Sequence, residues 1–248
     1  MGAPFDSDRL QTLTDHLTEL RDRLVKSAYA VTATSIVAWY FSERLLELIE
    51  RPIVEYLPSH KLVTLGPTDA FMAHLKIAIT AGIVLACPIW LYQIWRFVAP
   101  GLYSKERKYT AVFIMSGTVL FTIGVLFAYF LVLPTGLKFL LQFGSSSSAP
   151  MITLPAYLSF FNTMILVFGA SFELPLVLVI LGIIGLIDQR FLREKRRYAI
   201  VLLSILSAII TPPDIMSMLM LLIPMMALYE ISIILVGLTS RKKMESNV

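Results

Sequence analysis

Long apolar stretches recur through this chain, and nearly all of its positive charge falls on one side of them. The stretches run 26–42, 70–93, 110–133, 156–187, 198–210 and 215–238. One alternating set of connecting segments holds Arg9, Arg21, Arg23 and Lys26, then Arg96, Lys105, Arg107 and Lys108, then Arg190, Arg193, Lys195, Arg196 and Arg197, and finally Arg241, Lys242 and Lys243. The other set holds only Arg44, Arg51, Lys61, Lys76 and Lys138. A helix needs about 20 apolar residues to cross a bilayer, and loops rich in Lys and Arg stay cytoplasmic. The pattern predicts an all-α membrane protein: one polytopic domain over 1–248, six transmembrane helices, and both termini in the cytoplasm.

Composition leaves room for little else. Hydrophobic residues make up 57% of the chain and charged residues 15%, against about 25% charged in a soluble domain. Mean hydropathy is +0.76. The net charge of +4 follows from topology and gives no argument for nucleic acid, because no basic run is interleaved with stacking aromatics outside the spans. Cys87 is the single cysteine, so no internal disulfide forms and no thiol metal site is expected. No cleavable signal is expected either. The first apolar stretch follows an acidic amphipathic segment and lacks a small-x-small cleavage site.

Local signals refine the spans. Leu13, Leu17, Leu20 and Leu24 share one helical face, which predicts an interfacial helix running into the first span. The first outer loop holds a short helix at 43–51, then Pro52, Pro58 and Pro67, and Thr68 or Asp69 is placed to cap the second span. Pro134 is taken to open the second outer loop. The fifth span has only the residues between Arg197 and Thr211, roughly 20 Å of helix against a hydrocarbon core of about 30 Å. A helix that short thins the bilayer, needs partner helices, or sits beside a turn that dips into the membrane. Pro88, Pro175 and Pro224 fall within spans and are expected to kink them.

Catalysis finds no support. His16, His60 and His74 form no metal-binding helix pair, and there is no phosphate loop, dinucleotide fingerprint or nucleophile elbow. No cofactor and no metal are expected. Glu173, near the middle of the fourth stretch, is the costliest residue to insert, at about 2.5–3.5 kcal/mol. Either it lines a polar site in the wall, or it is neutral and hydrogen-bonded to the carbonyl freed by Pro175. Glu230 has the same two kinds of reading: an intramembrane polar group, or a residue at the cytoplasmic interface near Arg241. Glu106 stands alone among basic neighbours, and Glu19 is placed for a helical pair with Arg23.

Around these acids the chain resembles a known family. The run His16-Leu17-Thr18-Glu19-Leu20-Arg21 and the run from Tyr92 through Arg96, Phe97, Pro100 and Tyr103 to Glu106 resemble TatC, the multispan core of the twin-arginine protein translocase. Phe127-Ala128-Tyr129-Phe130, Tyr157-Leu158-Ser159-Phe160, Phe172-Glu173-Leu174-Pro175 and Thr211-Pro212-Pro213-Asp214 match too, in family order. The resemblance spans about Leu13 to Gly237.

What it implies is a receptor in the bacterial inner membrane. It would bind the twin-arginine signal peptides of folded cargo at the cytoplasmic face, recruit TatA- and TatB-type single-span partners, self-associate within the complex, and use the proton gradient. Glu19 and Glu106 would receive the two arginines, with Arg21 and Phe97 on the recognition surface. A guanidinium is a planar fork that a carboxylate accepts bidentately, which an ammonium cannot match. Pro52 and the outer loop would hold a concave, glove-like wall, Glu173 would lie in its membrane-facing concavity, and the last two spans, with Asp214 in their outer turn and Glu230 beyond, would dock partner helices. Two positions depart from the pattern. Lys105 replaces a common histidine, and Met218 stands where relatives often carry a glutamine, so the polar docking contact is missing there. The alternative reading is a proton-coupled transporter of a small solute using Glu173. It predicts internal repeats with matching broken helices, and none is evident.

Overall fold

The structure is a computed structural model and describes residues 7–57, 62–98, 110–143, 151–211 and 215–245. Among these every regular element is a helix, and the only β pairing is an isolated bridge, Val63 with Thr153.

The first helix, α1 (Ser7–Tyr40), is a single rod, roughly 51 Å long at the helical rise. Neither Gly nor Pro occurs within it, so nothing separates the amphipathic half from the apolar half. Leu17 and Leu24 are exposed along the first half. The chain turns at Phe41 into α2 (Ser42–Val54). This helix is longer than the expected 43–51 and keeps Pro52 inside its last turn. It buries Ile49 and Ile53 and turns Glu43, Arg44, Glu47 and Arg51 outward.

Next come α3 (Asp69–Leu85) and α4 (Cys87–Val98), which meet at a 55° bend. Pro88 sits in the first turn of α4, where its missing N–H costs nothing within the new helix and blocks continuation of the old one. The expected cap at Thr68 is not made. Instead the Asp69 carboxylate accepts from the Leu65 and Gly66 amides, both at 2.9 Å, and so fixes the turn leading into α3.

Pro134 does not end its helix. α5 (Thr110–Phe127) runs through a π-helical segment, Ala128–Val132, into α6 (Leu133–Phe143). The wider π turn lies directly over the carbonyl of Phe130, which an α-helical Pro134 ring would strike. α7 (Leu154–Phe172) and α8 (Leu174–Ile184) break at Glu173, ahead of Pro175. α8 stops at Gly185, whose φ of +86° suits the left-handed closing turn. A short helix absent from the sequence reading, α9 (Gln189–Glu194), is capped by Asp188, whose carboxylate accepts from the Phe191 amide at 2.6 Å. α10 (Arg196–Ile210) has 15 residues, and α11 (Ile215–Glu245) passes Pro224 without a break.

Among the described residues three helical stretches are long and apolar enough to cross a membrane, Thr110–Leu141, Leu154–Ile184 and Ile215–Leu238, and the bent pair α3–α4 makes a fourth candidate. The main core gathers Ile53, Ile77, Leu133, Tyr157, Phe168 and Leu221. α5 and α7 approach so closely that a Cβ on Gly124 would lie 2.5 Å from the Phe168 carbonyl oxygen, so only glycine fits there. A satellite cluster of Leu192, Ile233 and Val236 ties α9 to α11.

Candidate functional site

Two acidic positions stand out. The first is on a seam where α1 runs beside the end of α4. His16 stacks on Phe97 with ring centroids 4.4 Å apart. One turn on, Glu19 accepts from the Arg23 guanidinium at 3.1 Å, and the same guanidinium donates to Gln93 of α4 at 3.4 Å. The Arg23 side chain is largely covered, while that of Glu19 is one-third exposed, at 33%. Arg21 is exposed on α1, and Arg96 lies over the Tyr92 ring at 5.7 Å. The seam presents a solvent-reached carboxylate whose neighbours are aromatic and cationic. Glu106, its expected counterpart, lies outside the described residues, as does Asp214.

The second acid is Glu173. It is 8% exposed and faces a cavity of about 210 Å³ whose wall includes Trp90, Trp95, Phe113 and Leu176. Both indole N–H groups are engaged elsewhere. Trp90 donates to the Ile83 carbonyl at 3.1 Å and Trp95 to the Thr110 hydroxyl at 2.9 Å. The Oε1 atom of Glu173 is buried with no hydrogen-bond partner. The expected bond to the carbonyl freed by Pro175 is therefore not formed by this atom. The break between α7 and α8 instead turns the carboxyl toward α5, where a Cβ on Gly117 would lie 3.2 Å from Oε2. The surroundings are thus more apolar than the polar site read from the sequence.

The other singled-out residues serve the frame. Arg196 donates to Glu230 at 2.6 Å, both half exposed, so Glu230 pairs with the start of α10. Met218 is partly buried against the main core. Pro52 sits over a lacing of tyrosines: Tyr129 donates to the Leu48 carbonyl and Tyr157 to the Ile49 carbonyl.

A family profile described as "Sec-independent protein translocase protein (TatC)" matches residues 15–224. The chain belongs to the TatC family. TatC of Desulforapulum autotrophicum is 40% identical over 231 residues, covering 93% of this chain and 86% of that protein. TatC of Aquifex aeolicus is 40% identical over 235 residues, covering 94% and 98%. The crystal structure described as "Twin Arginine Translocase Receptor- TatC" superposes with a TM-score of 0.81 at 39% identity, covering 91% of this chain and 99% of that one. The chain is therefore a component of the twin-arginine translocase and a multi-pass membrane protein of a transport family, and small-solute transport finds no support in these matches. For a TatC-family chain, the seam residues that sequence reasoning missed are Gln93, which closes the Arg23 pair, and His16, which stacks on Phe97. Both belong to quoted motifs, but nothing in their spacing shows that α1 and α4 lie side by side.

Proposed function

We propose that this chain is the signal receptor of its translocase, seated in the bacterial inner membrane with six spans and both termini in the cytoplasm. The spans are the apolar half of α1, the bent pair α3–α4, α5–α6, α7–α8, α10 and α11. On this reading the α1–α4 seam faces the cytoplasm and receives the twin-arginine motif of a signal peptide. Glu19 accepts one guanidinium. Glu106, in the segment that follows α4, accepts the other. Phe97 and Arg21 border the site.

The single observation that carries this reading is the Glu19 carboxylate, held on the seam by Arg23 and still reached by solvent. An arriving guanidinium fork has an acceptor already oriented by Arg23, so the site selects for position as well as charge. The apolar part of the signal follows into the bilayer, α10 and α11 dock TatA- and TatB-type single-span partners, and the proton gradient drives export. At roughly 22 Å, α10 is short for a lone span, which supports a partner beside it.

The test is export of a folded reporter carrying a twin-arginine signal. Reversing both acids, Glu19→Arg with Glu106→Arg, is expected to abolish export while the chain still inserts and is protease-resistant in the membrane. Normal export by that double variant would overturn the receptor reading.

A further inference from the structure

The largest cavity described lies under α2, at the end of the molecule away from the seam, with a volume of about 520 Å³. Its wall is apolar and includes Ile77, Val84 and Phe161. At its mouth Phe41, Leu48 and Phe130 are exposed, so in a membrane the cavity opens onto hydrocarbon. An apolar space of this kind does not hold water, and left empty it forfeits packing on every side.

Size and charge together choose the occupant. A slot of this volume, open on one side to hydrocarbon, takes one flexible hydrocarbon chain. The rim carries a cation. Arg51, exposed on α2, follows Leu48 of the mouth by three residues within one helix, so the two side chains share a face. Arg51 makes no ion pair with another described residue. A guanidinium at the mouth of an apolar slot is the arrangement that meets a phosphate above a tail. Glu43, Glu47, Glu50 and Glu55 on or beside the same helix oppose a headgroup with net negative charge and favour a zwitterionic one.

We propose that this cavity seats one acyl chain of a zwitterionic bilayer phospholipid, with Arg51 meeting its phosphate at the mouth. The proposal requires that the chain span the membrane. It does not rest on the receptor reading and survives or fails separately from it.

The experiment uses the full chain in nanodiscs with phosphatidylethanolamine bearing a photoreactive diazirine on its acyl tail, and crosslinks are mapped by peptide mass spectrometry. Labelling at Val84 and Phe161 is expected to exceed that at the exposed Ile209 several-fold. Ala81→Phe, which fills the cavity from α3, is expected to remove that excess, and Arg51→Gln to reduce it under competition by unlabelled lipid. Val84→Trp serves as the filling variant if Ala81→Phe does not fold. Wall labelling no greater than at Ile209, or labelling unchanged in a folded filled variant, overturns the proposal. So does a wall that crosslinks to the apolar segment of a signal peptide or single-span protein but not to the lipid.

Discussion

The Tyr129 hydroxyl donates at 2.7 Å to the carbonyl of Leu48, the one acceptor in α2 that Pro52 deprives of its helical N–H. The π segment that carries Tyr129 and the proline of the outer helix therefore complete each other, although 81 residues separate donor and acceptor.

Tyr129→Phe leaves that carbonyl without its donor, and the expected cost is about 0.5–1.5 kcal/mol. Pro52→Ala returns a backbone N–H to Leu48. In a Pro52→Ala background Tyr129→Phe is therefore expected to cost measurably less. Thermal unfolding of the four proteins in one detergent gives the coupling energy, and strict additivity would remove the pairing argument.

At the seam, the proposed contact is a charge-assisted hydrogen bond, a type worth about 1.5–3 kcal/mol. Glu19→Gln is accordingly expected to weaken binding of a synthetic twin-arginine signal peptide by roughly 10- to 150-fold. A twin-lysine peptide should lose affinity for the parent and show little further loss with the variant. Fluorescence anisotropy on the purified chain reads both. Equal affinity of parent and variant for the arginine peptide would exclude Glu19 as its acceptor.

Glu173 tests the cost of an unpartnered acid. Replacing it with Met removes the orphaned Oε1 and keeps the cavity filled, so the melting temperature should rise by about 2–4 °C for each kcal/mol of penalty relieved. A fall on Glu173→Met, with helicity unchanged by circular dichroism, would mean that the carboxyl has a partner in the folded protein.

Glu50 on α2 gives a pH signature. Burial first, and then the Glu47 charge, push its carboxyl above the usual carboxylate range. A raised folded value means that the fold favours the protonated acid. Its contribution is then fully present below the unfolded value of about 4.3 and is lost as pH rises through the folded one. Glu50→Gln should match the parent in acid and melt higher at neutral pH. Parallel melting curves across that range would contradict the assignment.

Much of the architecture was legible because apolar length and charge asymmetry are additive along the chain. The short α10 and the helix after Phe41 follow from where charges and prolines interrupt the apolar runs. What escaped was set by contact between distant segments. Pro134 reads as a stop, yet the π segment lets the helix pass. Thr68 and Asp69 both read as caps, and only the turn before α3 shows that Asp69 takes the Leu65 and Gly66 amides. Glu173 reads either as polar lining or as bonded to the carbonyl freed by Pro175, and only the packing around it shows both tryptophan donors engaged elsewhere. Glu19 is singled out by its motif, while Gln93, which accepts from the Arg23 that pairs with it, has meaning only once α1 and α4 are placed together.

Because α1 continues unbroken from Glu19 to Tyr40, about 31 Å along its axis, it acts as a stiff strut between the seam and α2. A tilt imposed at one end must reappear as displacement at the other, since no hinge residue lies between them to absorb it. On the proposed receptor function, a peptide engaged at the seam would displace α2 through this single element.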